Sequence, residues 1–369
     1  MKFTANAAAL RILVEAAAEL APGSGKIPQL EAVKLSASDP DHLVVSASNL
    51  VEAIRLNLPG IKVTVPGDVF VPSVNLLRVV KEAKKEDITI SWDGKALHAH
   101  VSWSGTKVKL PTEPPENQRE FKRFDPKKPF ATVPAAAFSA LVKRTAFAVQ
   151  SDFTSRTLGG VSVKIRGDAL ELAATDGRRL AVARKPLIGG NPTEAVVSPM
   201  PPKVIDRLHA EGETVDVQLL GAALVIRGTV GETARRLLSG QFPDYEGHVP
   251  WTMAREIRVR RKDLIDLVKK AGLLKVAGGI ETYFTFEANV LDMQAVASIE
   301  GTTEARMDID WPHTAVRINL DHTFIDQALK SMSSDEVILG IESGESAFTI
   351  REDSVEYEVI NVIMPKVGN

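Results

Sequence analysis

The chain contains no cysteine among its 369 residues. This absence excludes disulfides, thiolate metal sites and a cysteine nucleophile, and it is in keeping with a reducing compartment. Aromatic residues make up only 5% of the sequence. No run of about 18 apolar residues occurs, and the first residues lack the apolar segment of a secretory signal. We therefore expect a cytoplasmic protein without a membrane-spanning helix.

The chain also lacks an excess of charge of either sign. It has 45 Lys and Arg against 47 Asp and Glu, which gives a formal net charge of −2. Overall charge therefore provides no attraction to a polyanion, and binding to nucleic acid requires basic residues gathered on one surface. An apolar content of 44% is typical of a folded protein, and the length indicates two or three domains.

Motifs for catalysis and cofactor binding are missing as well. Gly23-Ser24-Gly25-Lys26 resembles the end of a phosphate-binding loop, but Leu20 and Ile27 stand where that loop needs glycine and Ser or Thr. His98 and His100 share a predicted strand face, and without further ligands nearby a solvated face is favoured over a metal site. The sequence contains no nucleophile elbow and no zinc-protease motif. We expect a binding or scaffolding protein that is not an enzyme and needs no cofactor or metal.

A pattern of strand, amphipathic helix and further strands recurs three times. The strand openings at Phe3, Phe130 and Ile257 lie 127 residues apart, and apolar residues at helical spacing follow each of them. The predicted helices cover residues 7–20, 72–85, 135–148, 199–210, 262–274 and 319–332. The pattern predicts an α+β fold of three repeated domains, each with two helices on antiparallel sheets, at residues 1–120, 128–250 and 254–369.

The least ordinary local pattern lies in the middle repeat. Leu172 and Ala174 alternate with polar residues as in a half-buried strand, and Asp176-Gly177 is a strong signal for a tight turn. Arg178 and Arg179 follow the turn directly. From these residues alone two interpretations stay open. The segment is either a hairpin with solvated arginines, or a turn that presents its backbone and both arginines at the rim of an apolar groove.

Basic residues are concentrated on the predicted helices, whereas many acidic residues fall in strands and loops. The helical cations are Arg11, Arg78, Lys81, Lys84, Lys85, Lys143, Arg144, Lys203, Arg207, Lys262, Lys269, Lys270, Lys275 and Lys330. If the helices of all three repeats share one surface, that surface is basic and suits sequence-independent contact with phosphates. Ordinary solvated helix faces are the alternative.

Several segments match one known family in order along the chain. They are Met1 to Thr4, Ile27 to Leu30, Ala174 to Val182, Gly240 to Tyr245 and Val362 to Pro365. With the three repeats, they make the whole chain resemble the bacterial replicative sliding clamp, the β subunit of DNA polymerase III holoenzyme. The resemblance implies a head-to-tail homodimer that forms a closed six-domain ring around double-stranded DNA, which it binds independently of sequence. It also implies three kinds of partner: the replicative polymerase α subunit, clamp-loader subunits, and other proteins with a clamp-binding motif.

The resemblance further implies where the partners bind. The expected partner-peptide groove, between the second and third domains, comprises Arg156, Leu158, Thr175, Gly177, Arg178, Arg179, Leu180, Pro243, Gly247, His248, Val362, Met364, Pro365 and Lys366. The expected DNA-facing residues are Lys26, Arg78, Lys81, Lys84, Lys143, Gln150 and Lys203. The expected dimer contact involves Lys107, Val108, Leu273 and Leu274, with the strand 106–110 of one subunit facing the region 271–275 of the other.

The sequence departs from the family pattern at several groove positions. Arg178 stands where the family commonly has histidine, and Gly247-His248 replace a basic and an aliphatic residue. Lys366-Val367-Gly368 replace residues like Met-Arg-Leu, and the segment 155–158 is one residue shorter. We therefore expect a groove that prefers more acidic peptides. A divergent second-copy clamp and a peptide-binding adaptor that forms no ring stay open as alternatives.

Overall fold

The computed structural model describes residues 1–21, 31–39, 41–49, 51–113, 122–150, 158–187, 190–210, 212–273, 280–297 and 301–366. The chain divides into two compact units, one of Met1–Ser139 with Met200–Leu237 and the other of Ala140–Pro199 with Leu238–Asn369. Lys26, Arg156, Leu274 and the segment resembling a phosphate-binding loop lie outside the described residues. Among the residues described, no helix is long and apolar enough to cross a membrane.

The first unit contains two antiparallel sheets. Its five-stranded sheet is formed by β1 (Lys2–Asn6), β5 (Lys62–Val65), β7 (Asp87–Ser91), β8 (His98–Trp103) and β9 (Thr106–Pro111), in the order β5-β1-β7-β8-β9. Its eight-stranded sheet is formed by β2 (Ala32–Asp39), β3 (His42–Ser48), β4 (Glu52–Pro59), β6 (Gly67–Pro72), β10 (Ala131–Pro134), β15 (Thr214–Leu220), β16 (Ala223–Arg227) and β17 (Gly231–Arg236). The order in that sheet is β10-β15-β16-β17-β4-β3-β2-β6.

The helices of the first half of the chain are α1 (Ala7–Leu20), α2 (Ser73–Glu82), α3 (Ala135–Thr145) and α4 (Pro202–Asp206). Asn6 caps α1, since its side chain accepts hydrogen bonds from the amides of Ala8 and Ala9. α4 is much shorter than the predicted helix over 199–210. The chain leaves the helix there because the carbonyl of Leu208 accepts a hydrogen bond from the amide of Val230, at 2.8 Å.

The second unit repeats this plan. Its eight-stranded sheet is formed by β11 (Val161–Arg166), β12 (Ala169–Thr175), β13 (Arg179–Pro186), β14 (Thr193–Val197), β18 (Glu256–Arg260), β23 (Glu336–Gly340), β24 (Phe348–Glu352) and β25 (Glu358–Ile363). The order is β14-β11-β12-β13-β25-β24-β23-β18. A four-stranded sheet has the order β21-β20-β19-β22, from β19 (Glu281–Glu287), β20 (Val290–Ala297), β21 (Gly301–Asp308) and β22 (Val316–Asn319). The remaining helices are α5 (Arg261–Ala271) and α6 (His322–Ser331).

The two eight-stranded sheets have equivalent strand orders when one of them is read from its opposite end, so that β10 corresponds to β18 and β6 to β14. This equivalence confirms the predicted α+β class built from repeats. At the centre of each sheet, two strands from neighbouring repeats pair with each other. These are β4 and β17 in one sheet and β13 and β25 in the other. These central pairs explain why the compact units cut across the three repeats seen in the sequence. The domain boundaries at 1–120, 128–250 and 254–369 stay a prediction.

Candidate functional site

The Asp176-Gly177 turn joins β12 to β13, as the sequence predicts. The Asp176 carboxylate accepts hydrogen bonds from the amides of Arg178 and Arg179, each at 3.0 Å. The Thr175 hydroxyl donates to the Arg179 carbonyl at 2.6 Å and accepts from the Gly177 amide at 3.1 Å. Gly177 has a φ of +87°, a conformation that favours glycine. The turn is therefore fixed by its own polar groups.

The two arginines that follow the turn have different environments. The Arg179 side chain is only 9% exposed and pairs with Asp176 at 3.0 Å. It also donates to the carbonyl of Phe147 at 2.8 Å, and its guanidinium lies 4.3 Å from the centre of the Phe324 ring. Arg178, in contrast, is exposed. The expectation that both arginines lie at a rim is thus wrong for Arg179, because aromatic rings and a carboxylate enclose its charge.

An apolar wall begins directly after the turn. Leu180 lies opposite Val362 in the pairing of β13 with β25. The Met364 amide then donates to the Arg178 carbonyl at 2.9 Å, so the chain beyond β25 continues alongside the turn. Val362 is buried, whereas Met364 is 50% exposed. These contacts bring four of the predicted groove residues together, and they leave the methionine accessible to a ligand.

The chain end beyond Met364 is also held in place. The Lys366 amide donates to the carbonyl of Asn319 at 2.8 Å, and its ammonium donates to the carbonyl of Ile280 at 2.9 Å. Asp321 lies 3.9 Å from the same ammonium. Lys366 is therefore a positioning contact for the tail rather than a free cation.

The segment after β17 covers the neighbouring face of the sheet. Phe242 and Tyr245 pack with Ala173, Val182, Ile360 and Val362 in one buried cluster, and Leu180 contacts its edge. The two rings are perpendicular, with centroids 5.7 Å apart. Pro243 lies between them in the sequence and is exposed. The predicted residues Leu180 and Val362 thus belong to one apolar cluster in the second unit, and Pro243 lies on the segment that covers it.

Charged residues that the sequence reasoning missed hold this covering segment. Glu246 accepts hydrogen bonds from the side chains of Arg166 and Lys164, each at 2.6 Å. These bonds, that of Arg166 first, lower the pKa of Glu246 to about 2. The Tyr245 hydroxyl donates to the buried carboxylate of Glu171 at 2.6 Å. Burial and that carboxylate raise the pKa of Tyr245. The signal available in the sequence was the presence of charged residues on the apolar strands β11 and β12.

The structure also locates the other predicted groove residues. A Cβ atom on Gly177 would lie 4.0 Å from Leu158, which places Leu158 beside the turn. Gly247 is exposed in a short 3-10 turn over Glu246–His248, away from the tail residues in the sequence. Leu158, Thr175 to Leu180 and Val362 to Lys366 thus lie around the turn and the tail, and the partner-peptide groove that includes them stays a prediction.

The first unit does not repeat this apolar site on its own eight-stranded sheet. By strand pairing, Ala53 and Ala234 replace Leu180 and Val362. One position further along the same face, Arg55 and Glu232 replace Val182 and Ile360. The first unit has a cavity of about 280 Å³ here, whose lining includes Ser46, Ser48, Arg55 and Glu232. The replacement of apolar by small and charged residues gives the groove of the second unit its distinct chemistry.

Most of the predicted DNA-facing cations lie on exposed helix surfaces. Arg78 and Lys81 are exposed on α2, Lys84 just after it, Lys203 on α4 and Lys143 on α3. Gln150 is half-buried. Arg144, grouped with these helical cations from the sequence, is instead buried, because Glu352 accepts hydrogen bonds from its guanidinium. The DNA-facing role of the exposed residues stays a prediction.

Two sheet edges carry exposed charges of opposite sign. β9 is the outermost strand of its sheet and exposes Lys107 and Lys109, with Val108 half-buried. β21 is the outermost strand of the four-stranded sheet, and its exposed charged residues Glu304, Arg306 and Asp308 leave an excess of negative charge. Leu273, just after α5, is 70% exposed. The sequence reasoning identified β9 and the 271–275 region but missed β21, although alternation of polar and less polar residues marks that strand.

Among the residues described, no group of three or more His, Cys, Asp or Glu side chains is placed to hold a metal ion. The site consists of an apolar cluster, a turn fixed by its own hydrogen bonds and the exposed side chains of Arg178 and Met364. Such a site suits an extended peptide with large apolar side chains, because aliphatic residues and an accessible methionine form an adaptable apolar surface.

Comparison with known proteins relates the fold to bacterial sliding clamps. Residues 132–244 match the family described as the central domain of the DNA polymerase III beta subunit. The beta sliding clamp of Chlamydia muridarum is 23% identical over 380 residues, which cover 99% of this chain and 98% of that protein. The crystal structure of the DNA polymerase III beta subunit from Thermotoga maritima superposes with a TM-score of 0.88 at 21% identity, with full coverage of both chains.

A third similar structure contains a bound molecule. The beta sliding clamp of Caulobacter crescentus, crystallised with PEG bound to its putative beta-motif tethering region, has a TM-score of 0.85 and 20% identity, covering 100% of this chain and 99% of that chain. Repeated α+β domains joined through shared sheets define the DNA clamp class of folds. Within that class, the chain is similar along its whole length to bacterial β sliding clamps, the β subunits of DNA polymerase III.

Proposed function

We propose that this protein is a DNA sliding clamp, which encircles duplex DNA and tethers the replicative polymerase and other replication or repair proteins to it. The observation that carries the proposal is the apolar cluster with Leu180 at its edge and Met364 exposed beside it, in a chain that is similar to bacterial clamps along its whole length. A clamp needs one site for protein partners and a closed ring for DNA. The described residues supply a candidate for each.

The partner site is the groove defined by the turn over residues 175–180, by Pro243 and by residues 362–366. Leu180, Val362 and Met364 offer aliphatic and thioether surface to the apolar side chains of a partner peptide. A few buried apolar contacts dominate the affinity of such interfaces. We expect the polymerase α subunit, clamp-loader subunits and other proteins with a clamp-binding motif to use this site.

Ring closure would take place through the exposed edges of β9 and β21. Edge strands present unpaired backbone groups, and a strand of a second chain can pair with them. Lys107 and Lys109 on β9 complement Glu304 and Asp308 on β21, and Leu273 supplies apolar surface. A head-to-tail homodimer brings β9 of each subunit to β21 of the other, which closes the ring at two equivalent contacts.

Contact with DNA then requires no base recognition. Exposed cations on the helices, among them Lys81, Lys84 and Lys143, can approach phosphates without fixing a register on the duplex. Because a closed ring is retained by topology, weak contacts are sufficient and permit sliding. The clamp has no reaction of its own in this proposal, since the clamp loader uses ATP to open it. We expect it to act in the cytoplasm.

Light scattering on purified protein tests the ring most simply. The proposal predicts a particle of about twice the chain mass of 39.9 kDa at micromolar concentration. A monomer that still binds partner peptides would contradict the ring and would favour the alternative of a peptide-binding adaptor.

A further inference from the structure

One charge at the mouth of the groove has no partner in the described part of the chain. Arg179 is neutralised by Asp176, and the ammonium of Lys366 donates to a carbonyl. Glu246 is paired with Lys164 and Arg166. The Arg178 side chain, however, is exposed and makes no hydrogen bond or ion pair with any described residue. Its five N–H donors are therefore available to a ligand.

The position of this free arginine is fixed even though its side chain is not paired. Its amide donates to the Asp176 carboxylate at 3.0 Å, and its carbonyl accepts from the Met364 amide at 2.9 Å. The backbone is thus held on both sides, next to the most exposed apolar residue of the groove. A guanidinium on such a fixed backbone meets a bound peptide beside its apolar anchor.

A residue of opposite charge lies on the segment that covers the sheet. Asp244 is exposed and is likewise unpaired among the residues described. Asp244 lies two residues after Phe242, which belongs to the same buried cluster as Val182. Val182 is four residues beyond Arg178 along the chain. Four residues of extended strand span roughly 13 Å. A carboxylate on the ligand is therefore attracted near Arg178 and repelled near Asp244.

We propose that Arg178 is a specificity-determining residue, which selects partner peptides carrying an Asp or Glu directly beside their apolar anchor residues at the Met364 end of the groove. This inference rests on the proposed peptide-binding function. Arginine suits the role because its planar fork matches the two oxygens of a carboxylate. Asp244 makes the affinity depend on where the acidic residue lies in the peptide. An acidic residue on the other side of the apolar anchors makes no ion pair with Arg178.

The test is a fluorescence anisotropy titration of the full-length protein with four labelled peptides. All share a Leu-Leu-Phe core, and they carry Asp or Asn either immediately before or immediately after it. We expect one of the two Asp peptides to bind about threefold to fivefold tighter than its Asn counterpart at low salt, the range of an exposed ion pair. The ratio of the two affinities should fall towards one at about 0.5 M NaCl, where such ion pairs are screened.

Substitutions of Arg178 test whether the preference for Asp peptides depends on this residue. Arg178→Gln should abolish the preference, so that each Asp peptide binds no tighter than its Asn counterpart. Arg178→Lys should keep part of it, because the charge stays but the fork is lost. Lys262→Gln is the matched control, since it removes one positive charge from an exposed position on α5 of the same unit and should change nothing.

The outcomes separate this proposal from the function on which it rests. Equal binding of all Asp and Asn peptides by the unaltered protein would overturn the role of Arg178 and leave the groove assignment intact. A preference that persists in Arg178→Gln would also overturn it, by assigning the selection to another group. If none of the four peptides binds, the groove assignment itself fails, and the specificity proposal fails with it.

Discussion

At the scale of single residues, Arg144 and Glu352 form a buried ion pair. Their side chains are 5% and 0% exposed, and the guanidinium approaches the carboxylate through Nε at 2.7 Å and Nη2 at 3.0 Å. The amides of Ser333 and Ser334 donate to the same carboxylate at 2.8 Å and 3.0 Å. Burial opposes ionisation of Glu352, but the hydrogen bonds outweigh it and lower the pKa.

Replacement of Glu352 by Gln should destabilise the protein strongly. The variant leaves the Arg144 charge buried without its counter-ion, a change that typically costs about 3 kcal/mol or more. Urea denaturation followed by tryptophan fluorescence measures the loss. Glu345→Gln, at an exposed position, serves as the control and should cost little. A Glu352→Gln variant as stable as the control would show that the pair does not stabilise the fold.

The lowered pKa of Glu246 predicts how the stability of the protein depends on pH. Its pKa is lowered from 4.5 to about 2 by hydrogen bonds from Arg166 and Lys164. A carboxylate with a depressed pKa contributes stability that is complete above its unfolded pKa and is lost as pH falls through the folded value. The stability difference between the unaltered protein and Glu246→Gln should therefore be constant above about pH 5 and shrink towards pH 2. A difference that is unchanged at low pH would mean that the pairing with Arg166 and Lys164 is not the cause.

Residue chemistry also shows where prediction from the sequence ended. The tight turn at Asp176-Gly177 could be predicted because its polar groups act locally. The different environments of Arg178 and Arg179 could not, since the partners Phe147 and Phe324 of Arg179 lie far away in the sequence. The burial of Arg144 was hidden for the same reason, because Glu352 is 208 residues away.

At the scale of elements, the long amphipathic helices were predictable from local periodicity, whereas the edge strand β21 was not. α1, α5 and α6 lie close to the predicted ranges because apolar periodicity determines them locally. α4 is shorter than predicted, since tertiary hydrogen bonds of Leu208 compete with the helix. Nothing local indicates which strand of a sheet is outermost, and β21 was missed for that reason.

The two edge strands provide a test by charge exchange. Reversal of Lys107 and Lys109 to Glu should prevent dimerisation, because both proposed edges then carry negative charge. Reversal of Glu304 and Asp308 to Lys should prevent it too, because both edges are then positive. A mixture of the two variants should restore the dimer, since each edge again meets its opposite. Light scattering reads the mass of each sample, and a mixture that stays monomeric while the unaltered chain dimerises would reject this pairing of β9 with β21.

The tail after β25 makes a prediction for the groove. Met364→Ala removes the most accessible apolar side chain of the site and should weaken partner peptides about tenfold, for the loss of roughly 1.4 kcal/mol of apolar contact. Removal of residues 364–369 should have at least this effect, and both variants should keep the dimer mass. The control is Val355→Ala, at an apolar residue fully exposed outside the groove. Unchanged peptide affinity in Met364→Ala, measured by fluorescence titration, would contradict the groove assignment.

At the scale of the whole molecule, the sequence repeat corresponds to two eight-stranded sheets with equivalent strand orders. The interval of 127 residues could be read from helices and strand openings alone. The pairing of β13 with β25 could not, because it joins segments more than 170 residues apart, such as Leu180 and Val362. That pairing creates the groove, which is why the resemblance to a family, rather than the local pattern, indicated its residues.

The charge distribution fits a molecule that holds DNA by enclosure. The net charge of −2 is unsuited to tight binding of a polyanion over the whole surface. Exposed lysines on the helices and complementary charges on two sheet edges are instead consistent with a ring that needs only weak internal contacts. Retention by topology and retention by affinity differ in one respect that can be measured, namely their dependence on free DNA ends.

That measurement is retention on circular DNA before and after linearisation. The protein is loaded onto nicked circular duplex with a clamp loader and ATP, and the complex is separated by gel filtration in about 0.5 M NaCl, where phosphate contacts are screened. The proposed function predicts that the protein stays with the circle and is lost when a restriction enzyme cuts the duplex. Equal loss from circular and linear DNA, or equal retention on both, would contradict it.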